Sequence, residues 1–410
     1  MELRGRKLLF ISQKAGFFGG VERYIFQVGA LLRQQGVELW GAFAEMARDS
    51  ERFRAGFDRL LPITELPELD RDFALVGVHK LSDNTLLQDL LERYGERLTL
   101  FVHDHDVYCP RSHKYFPFTR RNCQLPYARL LCGCCGMAIS PRRWSGGLRG
   151  ELREKFSLFP ERFACYRQFP HLVVLSQFMR DNLVANGFAP ERITLIPPHI
   201  PVAEPAPVRS ASTADAPPRI IFIGQLIRGK GADMLLRLLP LLRQPYRVEI
   251  IGDGKDRAML EALASSLGVA DRVEFSGWCL TPEEKMATAD LAVLPFRWQE
   301  PFGLVVAECA AAGLPVAAFA LGGVGESLIH GETGLMATPG DLAELARHCD
   351  RLLGDAALRQ QMGQRGRELI RTKFCQERVL AGYDALLTRI ATAAGAMPGE
   401  AYKTSGKCEA

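Results

Sequence analysis

Short apolar runs alternate along this chain with longer amphipathic stretches, and glycine or polar residues punctuate nearly every junction. Residues 7–12 (KLLFIS), 37–44, 74–79, 98–103, 171–176 and 193–197 read as buried strands. Between the first two, Tyr24, Phe26, Val28, Leu31 and Leu32 recur at helical spacing up to Gly36. A second series of strands begins at 219–224 (RIIFIG) and continues through 247–252, 273–278, 291–295 and 315–319. The intervening spacing predicts helices over 177–186, 232–242, 257–267, 303–312, 341–353, 358–373 and 376–394. Thr281 with Glu284 reads as a capping box opening one more. Strands that alternate with helices imply parallel sheets covered on both faces.

Two series of strands imply two domains, which suits 410 residues. Pro, Ala and Ser crowd the stretch between them, and the boundaries fall at 1–204, a linker over 205–218, and 219–375. The helix over 376–394 and a polar tail from 395 follow. Residues 107–165 fit neither period and read as a Cys- and Arg-rich insertion in the first domain, with one or two short helices.

The chain turns on residues 295–315, PFRWQEPFGLVVAECAAAGLP. A strand ends at Pro295, a polar loop follows, and an alanine-rich helix opens at Gly303. Backbone N–H groups at a helix start have no intrahelical partner, so such a junction receives hydroxyls or phosphates. Glu300 precedes the helix and Glu308 lies within it, roughly 9 Å along the axis at 1.5 Å per residue. Carboxylates so separated can hold opposite ends of one elongated ligand, and each can accept both hydroxyls of a vicinal diol. An isolated pair of this kind is more often a loop glutamate and an ordinary helical one.

Two glycine loops strengthen the ligand reading. The first strand runs into Gly16-Phe-Phe-Gly19-Gly20 and then a helix, an arrangement whose amides can cradle an anion or simply make a tight turn. The second domain opens with Gly224-Gln225-Leu-Ile-Arg228-Gly-Lys230-Gly231, where lysine supplies a point charge for phosphate. The fourth strand ends in His103-Asp104-His105-Asp106; an imidazole beside a carboxylate there could be acid–base machinery, a structural pair or a grip on a substrate.

Glu300-Pro301-Phe302-Gly303 followed by Glu308 resembles the E-x7-E signature of the retaining glycosyltransferases of family 4, and the flanking pieces fit in order up to about residue 390. The resemblance implies the GT-B architecture, an α/β fold of two facing Rossmann-like domains with parallel sheets and an interdomain cleft. It implies a hexosyltransferase that uses a nucleotide sugar, UDP- or GDP-hexose, with no cofactor or catalytic metal. Gly19, Gly20, Gln225, Arg228, Lys230, Trp278, Glu300, Phe302, Gly303, Leu304 and Glu308 would form the donor site; His103 and Asp104 would lie on the acceptor side, and Glu300, His103 and Lys230 would carry catalysis. The acceptor would be a glycan or lipid-linked glycan of a surface polysaccharide or lipopolysaccharide. The family's phosphate loop has Arg where this chain has Gln225, which leaves a catalytically impaired nucleotide- or glycan-binding partner as the alternative.

Composition narrows the setting. A net charge of +4 gives no argument for nucleic acid, but between residues 105 and 155 ten Lys/Arg stand against three Asp/Glu. That basic region, with Arg142, Arg143 and Trp144, could be a solvated face or a peripheral contact with a membrane or a lipid-linked phosphate. No apolar run is long enough to span a bilayer and the N-terminus lacks a signal's apolar core, so the expectation is a cytoplasmic protein. Five of the eleven cysteines lie between 109 and 135; Cys109, Cys123, Cys132 and Cys135 could form a structural zinc site or remain reduced thiols.

Overall fold

A computed structural model of the chain describes residues 3–17, 19–46, 50–69, 72–116, 121–137, 147–203 and 216–395. The N-terminal half contains, in order, β1 (Lys7–Ala15), α1 (Gly20–Gln34), β2 (Glu38–Met46), α2 (Ser50–Arg54), β3 (Arg59–Pro62), β4 (Leu75–Lys80), α3 (Asn84–Tyr94) and β5 (Leu98–Val102). It continues with β6 (Tyr115–Phe116), β7 (Arg121–Asn122), α4 (Arg129–Met137), α5 (Gly147–Arg153), α6 (Phe159–Tyr166), β8 (His171–Val174), α7 (Gln177–Ala185) and β9 (Ile193–Leu195). The C-terminal half has β10 (Arg219–Ile223), α8 (Ala232–Leu238), β11 (Arg247–Ile251), α9 (Arg257–Ser266), β12 (Val273–Gly277), α10 (Pro282–Thr288) and β13 (Leu291–Leu294). It closes with α11 (Leu304–Ala311), β14 (Val316–Phe319), β15 (Gly334–Ala337), α12 (Leu342–Gly354), α13 (Ala356–Lys373) and α14 (Gln376–Gly395).

Each half is a parallel sheet with helices on both faces, the α/β class that the alternation predicts. The strand orders are β3-β2-β1-β4-β5-β8-β9 and β12-β11-β10-β13-β14-β15. Both reverse direction beside their first strand, between β1 and β4 and between β10 and β13. Loops at such a switch point diverge above the strand ends and leave a crevice. The Gly16–Gly20 loop, the Gly224–Gly231 loop and the segment after β13 therefore all open at switch points.

Two strands escape the hydrophobic pattern. Both β3 (RLLP) and β15 (GLMA) have four residues and lie at sheet edges, too short to show a period. The capping box of Thr281 with Glu284 is not made, since Thr281 has no side-chain cap; the neighbouring Glu283 pairs with Arg23 of the other half. The 107–165 insertion holds more structure than expected, a small antiparallel hairpin (β6 and β7) and three helices. Arg142, Arg143 and Trp144, most of the 205–218 linker and the tail from 396 lie outside the described residues.

The halves share one hydrophobic cluster. Leu8, Phe10, Tyr24 and Phe101 of the first sheet pack with Phe302, Ala307 and Ala310 of the second half and with Phe374 and Tyr383. Helix α14 crosses to the N-terminal half, where Arg389 donates to the carbonyls of Glu191 and Arg192 and to Thr194 Oγ1 at 2.7 Å. Tyr383 is fully buried, its ring near Phe101 and its hydroxyl 3.4 Å from that of Tyr24. Tyr383→Ala should therefore cost about 3 kcal/mol or more, as other buried aromatic truncations do. A urea melt should show a lowered midpoint; a change within about 0.5 kcal/mol would mean that α14 is not part of the folded core.

Candidate active site

Glu300 sits where β13 hands the chain to α11. Its backbone forms a parallel bridge with Gly322, and its carbonyl accepts from Gly323 N at 2.6 Å. These bonds fix the carboxylate at the mouth of the crevice, nearly buried. Lys230 Nζ donates to Glu300 Oε1 at 2.7 Å, and Trp298 Nε1 donates to the same oxygen at 3.1 Å. Gly303 takes a left-handed conformation (φ 83°) that turns the chain into α11, so the helix begins at Leu304 with Gly303 as its N-cap. The Phe302 ring is buried in the shared cluster, edge-on to Phe374.

The first glycine loop meets this region from the opposite half. A Cβ on Gly20 would lie 3.1 Å from Leu304 Cδ1, and one on Gly19 would lie 3.7 Å from Gln225 Nε2. One turn into α1, Arg23 Nε stands 3.4 Å from Glu308 Oε1 and also pairs with Glu283. Burial pushes the Glu308 carboxyl up to about 7, partly opposed by the Arg23 charge and aided by Glu283. Thus both glutamates of the E-x7-E spacing are held by cations, Glu300 from its own half and Glu308 from the other.

The segment leading to Glu300 is received by the N-terminal half residue by residue. Asn122 Nδ2 donates to the Arg297 carbonyl at 3.4 Å and His105 Nε2 to the Gln299 carbonyl at 3.0 Å. Ser176 Oγ donates to the Pro301 carbonyl at 2.6 Å. Gln299 Nε2 returns bonds to the carbonyls of Cys123 (2.9 Å) and Lys114 (3.3 Å). Because a carbonyl only accepts, the proton of His105 is on Nε2, and Nδ1 takes the Tyr108 hydroxyl at 2.6 Å.

The His-Asp run at the end of β5 separates. His103 Nε2 lies 2.9 Å from His79 Nδ1, the rings stacked at 5.2 Å, with Tyr24 edge-on at 5.0 Å. Burial brings the His103 pKa down to about 3, so the ring is neutral. Asp104 pairs instead with Lys80 at 2.5 Å, and Asp106 lies 3.3 Å from the same ammonium. Burial and the Asp104 charge raise the Asp106 carboxyl, whereas hydrogen bonds from Asp106 and the Lys80 ammonium hold Asp104 low against its own burial. The two carboxylates stand at Asp-x-Asp spacing at a strand end, with the Lys80 ammonium between them.

The remaining candidates lie apart. Arg228 borders a separate cavity of about 320 Å³ with Lys255, Asp233 and Asp256. Trp278 is exposed at the end of β12, two strands from β10. Cys109, Cys123, Cys132 and Cys135 are free thiols, and among the described residues no group of three or more His, Cys, Asp or Glu is arranged to hold a metal ion. Arg23, His79, Lys80, Ser176, Trp298 and Gln299 are the residues sequence reasoning missed. Two had a readable signal: Arg23 follows the Gly19-Gly20 turn directly, and His79 ends a predicted strand.

Residues 208–369 match the family of glycosyl transferases group 1. The exopolysaccharide phosphotransferase SCO2592 of Streptomyces coelicolor is 33% identical over 227 residues, 53% of this chain and 23% of that protein. The lipopolysaccharide core biosynthesis glycosyltransferase LpsE of Rhizobium meliloti is 33% identical over 174 residues, 42% of this chain and 50% of that protein. The chain thus spans half or less of the length of these two curated relatives. Among solved structures, Anabaena Alr3699/HepE in complex with UDP and glucose superposes with a TM-score of 0.69, covering 96% of this chain and 100% of its own at 16% identity. The match to glycosyl transferases group 1 thus falls on the C-terminal half, within a GT-B fold that extends over nearly the whole chain.

Proposed function

We propose that this protein is a retaining glycosyltransferase that moves a hexose from UDP- or GDP-hexose to a hydroxyl of a glycan or lipid-linked glycan during surface-polysaccharide synthesis. The observation that carries this reading is the Lys230–Glu300 pair at the switch point of the second sheet, facing the Gly19–Gly20 loop, with Glu308 beyond it on helix α11. Relatives named for lipopolysaccharide core and exopolysaccharide synthesis support the setting.

In this mechanism the diphosphate draws Lys230 away from Glu300, which frees the carboxylate to accept from sugar hydroxyls. Glu308 accepts from the ribose diol and exchanges its Arg23 partner for it. The bond from the anomeric carbon to the diphosphate oxygen breaks, and Lys230, with amides of the glycine loops, stabilises the charge that develops there. The acceptor oxygen bonds to the anomeric carbon from the face the diphosphate leaves, and its proton passes to the departing phosphate. Neutral His103, with His79 beside it, acts as a hydrogen-bonding grip on the acceptor rather than as a general acid. No metal or cofactor is required, since the cations of the chain supply the charge. Gln225 leaves the phosphate loop one cation short, and a nucleotide-binding protein without transferase activity is the second reading.

The basic insertion gives the chain a face for a membrane. On α4, Leu130 and Leu131 are 74% and 51% exposed, with Arg129 beside them and Leu125 and Leu152 also exposed nearby in sequence. Apolar side chains flanked by cations suit an interface with anionic lipid. No helix among the described residues is long and apolar enough to cross a membrane.

Three outcomes test these readings. A thermal-shift panel of UDP, GDP and ADP should single out one base, since a ligand that binds only the native state stabilises it by about 2.7 kcal/mol at a hundredfold excess over Kd. With the matching donor, Glu300→Gln should lower kcat/KM by on the order of a hundredfold, the usual scale for losing one positioned polar group at a reacting centre. Undiminished turnover in that variant would remove Glu300 from the site, and nucleotide binding without any donor turnover in the wild type would favour the second reading.

Glu308 makes donor binding depend on pH. Its folded pKa is raised, so between about 4.5 and 7 the native state retains a proton that the unfolded chain has lost, and native stability falls as pH rises through that window. Only the ionised carboxylate accepts from both ribose hydroxyls, so affinity for a UDP-hexose should rise from pH 6 to pH 8, and Glu308→Gln should flatten the profile. A wild-type profile already flat across that range would contradict the assignment. On the membrane side, Leu130→Ser with Leu131→Ser should reduce flotation with anionic vesicles several-fold and leave soluble donor binding unchanged; unaltered flotation would dismiss the face.

A further inference from the structure

Trp298 touches three things at once. Its indole lies so close over Gly229, in the phosphate loop, that any Cβ at position 229 would overlap the ring. Its Nε1 donates to Glu300 Oε1 at 3.1 Å, and its other contact is a stack on His113, with ring centroids 4.0 Å apart and planes 29° apart. Gly229 and Trp298 belong to the C-terminal half, whereas His113 comes from the insertion of the N-terminal half.

The backbone around His113 is unusual. Among the described residues the non-glycine positions with positive φ are Ser112 (61°) and Lys114 (43°), which flank it on either side. Left-handed backbone at such residues is strained and persists only where neighbours hold it. Here Lys114 is buried, and its Nζ donates to the Leu125 carbonyl at 3.1 Å and to Asn182 Oδ1 at 3.2 Å. Its own carbonyl accepts from Gln299, the residue between Trp298 and Glu300. The turn that presents His113 is therefore anchored to the segment it acts on.

Lys230 and Trp298 both donate to Glu300 Oε1, but only Lys230 carries a charge that a diphosphate competes for. An indole N–H is a donor with no acceptor capacity and does not titrate, so its bond to Glu300 survives the arrival of an anion. With Oε1 so fixed, a sugar hydroxyl that reaches this carboxylate meets Oε2.

We propose that Trp298 is a positioning residue that aims Glu300 at the sugar of the donor, and that His113 sets the plane of the indole from the opposite half. The hexosyl end of a nucleotide sugar is then read by a carboxylate aimed through Trp298 and His113, contacts in which Glu308 at the nucleotide end takes no part. This deepens the transferase reading and rests on it.

The test separates sugar from nucleotide. Full-length protein is titrated with UDP and UDP-glucose, or with GDP and GDP-mannose should only those bind, for the wild type, Trp298→Phe, His113→Ala and His113→Phe. Trp298→Phe keeps a ring over Gly229 and loses the N–H, so affinity for the nucleotide sugar should fall about tenfold while that for the nucleoside diphosphate stays within twofold. His113→Ala should shift the same ratio about threefold, and His113→Phe, which keeps a stacking ring, should restore it. An unchanged ratio in Trp298→Phe, or an equal loss for both ligands, overturns the proposal while leaving the transferase reading intact. A wild type that binds none of the four ligands overturns both. Should Trp298→Phe fail to fold, the His113→Ala and His113→Phe pair decides: the same ratio in both variants rejects the coupling.

Discussion

The segment from Arg297 to Pro301 must satisfy its own backbone in a place where two domains meet, and the fold meets that requirement with donors from the other half. The carbonyls of Arg297, Gln299 and Pro301 take their hydrogen bonds from Asn122, His105 and Ser176, and the Gln299 side chain returns bonds to the insertion. Each such bond is worth only about 1 kcal/mol net, but leaving a buried partner unsatisfied costs about 1–3 kcal/mol. Separating the halves would therefore expose a set of polar groups in a region otherwise packed with Phe302, Phe374 and Tyr383. Glu300 inherits its position from this constraint, since it lies between two residues held from across the boundary.

Electrostatics then sets what the crevice can receive. Two carboxylates in a largely desolvated cleft repel water poorly and need cations, and each has one: Lys230 on Glu300, Arg23 on Glu308. An anionic ligand with hydroxyls at both ends can take over both arrangements, with its phosphates meeting the cations and its hydroxyls meeting the acids. The raised carboxyl of Glu308 marks the end where burial outweighs its ion pair, whereas Glu300 has two donors on a single oxygen. On the other side of the crevice, burial leaves His79 and His103 neutral and raises Asp106, and Lys80 pairs with the Asp104 charge. The charged chemistry is thus concentrated on the C-terminal half.

Much of the fold is legible in the chain because buried parallel strands are short uninterrupted apolar runs, and loops at their ends carry glycine. RIIFIG and LAVLP announce β10 and β13 in this way, and the switch points follow from strand order. Edge strands such as β3 and β15 are too short, at four residues each, to leave a pattern. The candidate site is legible where one loop carries the whole signal, as in Glu300-Pro301-Phe302-Gly303. Residues that act across the boundary are not, because nothing local distinguishes them: Trp298 reads as a loop aromatic, Ser176 as a helix cap, His113 as one polar residue in an irregular insertion. His103 and Asp104 show the converse case. Neighbours in sequence diverge at a strand end, and each finds its partner, His79 or Lys80, on the adjacent strand β4 and its end.

The most direct test is a crystal structure with a bound nucleotide sugar, carried out with whichever nucleotide stabilises the protein. The account predicts Lys230 Nζ within hydrogen-bonding distance of the diphosphate, Glu300 on the sugar hydroxyls and Glu308 on the ribose, with the Lys230–Glu300 pair opened. A ligand bound elsewhere while Lys230 and Glu300 stay paired would contradict it.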